Sequence, residues 1–221
     1  MLTRILLSAI TATVLSACTY SVSGQGDNRS VESAGLVASR NVDVPGDAEF
    51  SGMFVGADGD VGGNLDLAGA TVRSDARVGG NLIAAGGRVR FTGTVAGDAE
   101  IDAGTGYVDA IINGNLVIAA GRMELAGRVD GGLEMDGGRM ILRADIAGPV
   151  AVRGHGRDND RGNGRVELAG RLQQGGMICA AEVEIRSNAR IEGDLLVISN
   201  QRPSGDGFRF EALGDRSCKY I

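Results

Sequence analysis

The chain holds no tryptophan, one histidine, three prolines and three cysteines in 221 residues, and its aromatics amount to 4%. Each scarcity closes a class of function. The lone His155 has glycine on both sides and no partner nearby in sequence to position it as a base. No Ser-His-Asp set, zinc-ligand spacing or phosphate-binding loop occurs, so the chain reads as a non-enzyme without a cofactor or metal. Positive charge is also short: 22 Lys and Arg against 28 Asp and Glu give a net charge of −6. A field of that sign attracts neither nucleic acid nor anionic lipid, and no nucleic-acid partner is expected. An i, i+3, i+4, i+7 apolar pattern is nowhere sustained past the first residues, which argues against helices.

Glycine is abundant instead, at 37 residues, and it is periodic. Val-Gly-Gly-Asn-Leu at 61–65 returns intact at 78–82, seventeen residues on. Looser copies keep the step at 44–48, 95–99, 112–116, 129–133 and 146–150. A fixed short period means one structural unit stacked on itself. With Val61 as column zero, apolar residues fall at columns zero, four, six, eleven, thirteen and fifteen, as in Leu65, Leu67, Val72 and Ala76, with Ser74 as a lapse. Spacing by two within short runs is the signature of strands with alternate side chains facing inward. The column-two glycines (Gly46, Gly63, Gly80, Gly97, Gly114, Gly131, Gly148) suit a corner where φ is positive and a side chain would clash. Asp47, Asn64, Asn81, Asp98 and Asn115 beside them read as a stacked turn ladder, with a sugar-binding face as the other reading. Further glycines near columns eight and nine mark a second corner. Three short strands and three bends in seventeen residues predict an all-β fold: a single-stranded parallel β-helix, a triangular solenoid rising about 4.8 Å per coil.

The chain then divides. Residues 1–17 read as a signal peptide, too short to span a membrane, ending in Leu-Ser-Ala before Cys18. That box resembles the bacterial lipoprotein signal, and the resemblance implies that Cys18 carries the lipid. Thr19 in place of Asp points to the periplasm-facing side of the outer membrane. Residues 18–43 suit a lipidated flexible tether, 44–199 the solenoid, and 200–221 a cap or tail covering the last coil. A corner insertion at 154–164 lengthens one coil, and two further residues enter around 173–176. Asp158, Asn159 and Asp160 in the insertion offer oxygens for calcium but lack the bidentate Glu of an EF-hand, so a solvated loop is the plainer reading. Cys179 and Cys218 remain, as a disulfide or as two thiols; an exported chain favours the bridge, which would pin the C-terminal segment to a late coil.

The Gly-Asn-Leu and Gly-Asp-Ala units, with Ala-Gly-Arg-Met-Glu-Leu-Ala-Gly-Arg-Val at 120–129, resemble the bactofilins, polymer-forming bacterial cytoskeletal proteins. The likeness covers about 44–197. It implies a right-handed β-helix whose subunits join end to end as a homopolymer and recruit cell-wall or envelope proteins. Export and a capping disulfide depart from that family's pattern. A left-handed hexapeptide helix is the rival architecture, disfavoured by the strict period of seventeen and by coils without histidine.

Overall fold

The computed structural model describes residues 19–24, 29–155, 164–214 and 216–218. The chain is a parallel β-solenoid of about ten turns spaced roughly 17 residues apart. Its regular rungs are single long strands: Ser30–Val44, Ala48–Val61, Leu65–Val78, Leu82–Val95, Ala99–Ile112 and Leu116–Val129. Successive rungs pair in parallel and in perfect register, so each column becomes a file. Leu65 stands on Leu82, Leu82 on Ala99, Ala99 on Leu116 and Leu116 on Leu133. All five are buried. The six apolar columns face one continuous core that runs the length of the rod, and stacking supplies each rung with the apolar contacts it cannot make alone. Ser74, the lapse, is buried in its column and donates its hydroxyl to the Ala57 carbonyl of the rung before, which satisfies the polar group it brings into the core.

The corner ladder is also present. The side-chain oxygen of Asp47 accepts the Asn64 backbone N–H at 2.6 Å, Asn64 that of Asn81 at 2.9 Å, and Asn81 that of Asp98 at 2.9 Å. Asp98 and Asn115 continue it to Asn115 and Gly132 at 2.7 and 2.9 Å. An Asx residue is therefore wanted because its short acceptor reaches a backbone donor of the next rung that the strand ladder leaves over. The column-two glycines beside it do not have positive φ, contrary to expectation. They are required by closeness instead: a Cβ on Gly80 would overlap the Asn64 oxygen and lie 2.8 Å from the Gly63 backbone. Left-handed φ occurs at column fifteen, at Gly59, Gly93 and Gly127.

Three boundaries differ from the sequence reading. The solenoid begins before Val44, within the span assigned to a flexible tether (18–43). Ser30–Val44 is a full rung paired with Ala48–Val61, and Thr19–Ser23 lies antiparallel on it, Thr19 opposite Ala34. The marker glycine is missing there, since Arg29 occupies column two and Arg40 column thirteen. At the end of the rod Arg40 has no strand partner on its outer side among the described residues and stacks on Tyr20 instead, 4.1 Å from the ring centre. Gly154, assigned to the insertion (154–164), still pairs with Gly137, and nine residues more than the period separate the rungs before Val166 resumes on Met140 and Leu172 on Ile146. The two-residue insertion, however, is not at 173–176. Ile185 still follows Leu168 by 17 residues, whereas Ile191 follows Leu172 by 19, so the extra pair enters the corner at 186–190.

The third difference concerns the C-terminal segment. Phe208–Ala212 forms a last, one-sided rung on Asp194–Ser199, placing Phe208 over Leu195 and Phe210 over Val197 at the top of the inward files. Beyond it, Leu213 and Cys218 join Cys179 and Ile198 in a second small core on the outside of the rod. Cys179 and Cys218 are bonded, with Cα atoms 5.5 Å apart. Cys179 follows the inward Ile178 by one residue, and strand alternation turns it outward. The bridge thus staples the chain to the flank of a late rung.

Candidate functional site

Three surfaces of the rod carry chemistry: its two ends and the glycine corner at columns eight and nine. At the start of the rod, Thr19–Ser23 pairs with only Ser30–Ala34 of the first rung. Among the described residues no strand pairs the outer edge of the rest of that rung. Tyr20 and Val22, exposed on the covering strand, line a recess of about 300 Å³ with Val31, Val42 and Val44. At the other end, Glu182–Ile185 has a strand partner only on the inner side among the described residues. A recess of about 610 Å³ separates its outer edge from residues 200–204. Unpaired strand edges are templates for pairing with another chain.

The glycine corner forms a shallow groove of about 700 Å³ across the fifth to eighth rungs. Gly104, Gly121 and Gly138 make its floor, because nothing projects from them. Its walls carry Asp102, Asp136, Arg122 and His155. Arg153 lies 3.5 Å from Asp136 and 2.7 Å from Glu134, and the hydrogen bond it donates to Glu134 raises its own pKa beyond the ordinary arginine value. His155 is fixed at the root of the insertion by donating its backbone N–H to Gly137 O at 2.8 Å. Sequence reasoning treated His155 as an isolated surface residue. The fold sets it over Gly138, at the end of the same groove that Asp102 and Arg122 line from rungs farther along.

The column-two glycines line up along one corner, and Cys179 and Cys218 are bonded to each other. Cys18 and the insertion residues Asp158, Asn159 and Asp160 lie outside the described residues. Among the described residues no three His, Cys, Asp or Glu side chains cluster in a way that could hold a metal ion. No helix there is long and apolar enough to cross a membrane. Exposed ion pairs tie rung to rung, as between Arg171 and Glu192 or Arg209 and Asp194, and each contributes little by itself. No protein-family model, curated protein or solved structure matches the chain.

Proposed function

We propose that this chain is a non-catalytic structural lipoprotein of the bacterial envelope, similar to the bactofilins, whose rods stack end to end as a scaffold for envelope proteins. The observation that carries the reading is the parallel ladder itself, in register over about ten turns and with strand edges left unpaired at both ends among the described residues. A rung that stacks on its neighbour within one chain can stack on the first or last rung of another by the same hydrogen bonds and apolar files. The flank position of the Cys179–Cys218 staple is compatible with this, since the bridged side chains pack outside the files that stack along the rod. In this reading Cys18 bears the lipid and moors the rod on the periplasmic face of the outer membrane. Electron microscopy of purified protein lacking residues 1–18 tests the assembly. Filaments or rods longer than one chain, about 50 Å at 4.8 Å per turn, are expected; monodisperse single rods at high concentration would refute it.

The glycine groove favours a second reading, a module that grips an extended polar polymer such as a cell-wall glycan. Its bare floor admits a chain lengthwise, and Asp102, Asp136 and Arg122 offer hydrogen bonds to hydroxyl or amide groups. Sedimentation with cell-wall material, compared with an Arg122→Ala, Asp136→Ala variant, separates this from the scaffold reading.

A further inference from the structure

The outer corner at columns nine and ten changes character along the rod. From the third rung on it holds small or polar residues, such as Ala70 and Thr71, then Gly87 and Arg88. In the first two rungs the same places hold Leu36 and Val37, and Met53 and Phe54, which are 56, 57, 50 and 51% exposed. Val37 is in register with Phe54, so the four side chains form one apolar patch spanning two rungs about 4.8 Å apart. Farther along the rod, the exposed Ile83 and Val117 are separated by Glu100 in their file.

Charge along this edge is equally uneven. Across the first four rungs, columns seven to twelve (residues 34–39, 51–56, 68–73 and 85–90) contain no Asp or Glu, in a chain with 28 of them. The same strip carries Arg73, Arg88 and Arg90, none of them in an ion pair among the described residues. Acid returns with Asp102 on the fifth rung. Overall acidity therefore conceals a local strip that is apolar at one end and cationic beside it.

The chain also enters the rod at this edge. Thr19 is opposite Ala34, two residues before Leu36, or about 7 Å along the strand. The segment that precedes Thr19, with its Leu-Ser-Ala-Cys18 box, joins the rod beside the patch.

We propose that this edge of the first four rungs is a membrane-seating surface, occupied by the bilayer to which the lipid on Cys18 moors the chain. The proposal rests on the lipoprotein reading above. Leu36, Val37, Met53 and Phe54 enter the boundary between headgroups and acyl chains, and Arg73, Arg88 and Arg90 lie over the phosphates. A lipid alone fixes position and leaves orientation free. The added edge lays the rod along the bilayer, with both ends accessible to other copies and the glycine groove farther along.

The absence of native tryptophan supplies the test. Full-length chains carrying Phe54→Trp or Val117→Trp are produced with their lipid, reconstituted into vesicles of phosphatidylethanolamine and phosphatidylglycerol, and quenched with brominated phospholipid. Phe54→Trp is expected to shift to the blue and to be quenched several-fold more strongly than Val117→Trp. Equal, weak quenching at both sites in protein that floats with the vesicles overturns the seating surface and leaves the anchor standing. Protein that neither floats nor carries lipid on Cys18 by mass spectrometry overturns the anchor reading and this proposal with it. A blue shift of Phe54→Trp that grows with protein concentration without vesicles assigns the patch to a second copy and also overturns it.

Discussion

Replacing Gly114 by alanine separates two explanations for the repeat's glycines. If column two needed glycine for backbone freedom, the cost would be conformational. It is not, because φ there is not positive. With ordinary φ, glycine to alanine normally gains about 0.4–1 kcal/mol by narrowing the unfolded ensemble. At Gly114, however, the new Cβ overlaps the Asp98 side-chain oxygen and lies 2.5 Å from Gly97 O and 2.7 Å from Gly97 C. Those atoms are backbone of the stacked rung and an oxygen engaged with the Asn115 N–H, so none can move without opening the rung contact. Overpacking of this kind costs about 1–3 kcal/mol. Gly87 is the internal control: the nearest atoms to its added Cβ are Ala70 O at 3.0 Å and Ala70 C at 4.0 Å. Gly114→Ala should lower the melting temperature, by about 2–4 °C per kcal/mol in a chain of this size, whereas Gly87→Ala should leave it level or raise it. Adding Asp98→Ala to Gly114→Ala removes the worst overlap but not Gly97, so the double variant should be more stable than the sum of the single effects implies. Equal melting of Gly114→Ala and Gly87→Ala, followed by circular dichroism and by urea unfolding, would refute the account.

Three further outcomes follow from other parts of the rod. Deleting residues 155–163 joins Gly154 to Gly164-Arg165-Val166, matching Gly137-Gly138-Arg139-Met140 in the rung below; the variant should keep its strand spectrum and melt within a few degrees of the parent. Cys218→Ser should free the C-terminal segment, and closing a 39-residue separation corresponds to about 4 kcal/mol on a chain-entropy model. Limited proteolysis should then cut after position 200 while the regular rungs resist, and a wild-type digestion pattern would contradict the staple. The hydrogen bond from Arg186 holds the Glu167 carboxyl below its ordinary value of 4.5. A depressed pKa contributes stability above the unfolded value that is lost as pH falls through the folded one, so Glu167→Gln should flatten the acid limb of the urea-midpoint profile below about pH 4.5 and leave the slope at neutral pH unchanged.

Much of this fold is legible in sequence because a solenoid converts every structural requirement into a repeated column. A single misleading residue, such as Ser74 in an apolar file, is outvoted by the copies above and below it. Legibility fails where no copies exist. The first rung is hidden because Arg29 and Arg40 occupy columns that elsewhere hold glycine or buried residues, and an end rung tolerates them: past Ala34 no strand pairs its outer edge among the described residues, so Arg40 can leave the core and lie on Tyr20. The position of the two-residue insertion is missed for a related reason. Residues 185–191 look like 72–78, which puts Ile185 in column eleven, but pairing with Leu168 puts it in column thirteen. Both columns face inward, so apolarity alone does not choose between them, and the hydrogen-bonded partner decides.

The surface is less legible than the core, and the cause is direction. Core columns can be recognised along the chain because burial acts on each rung alike. A binding edge is assembled across rungs, from residues seventeen apart whose identities need not repeat. Leu36 and Met53 look like stray apolar residues until register places their neighbours Val37 and Phe54 side by side. The missing acids over 34–39, 51–56, 68–73 and 85–90 are invisible in a net charge of −6, since an absence has meaning only once the rungs are stacked. Register is therefore the step that turns this sequence into surface chemistry. It also makes the seating edge and the stacking ends separable, because Phe54→Glu should change how the rod meets lipid without touching the strand edges through which rods would join.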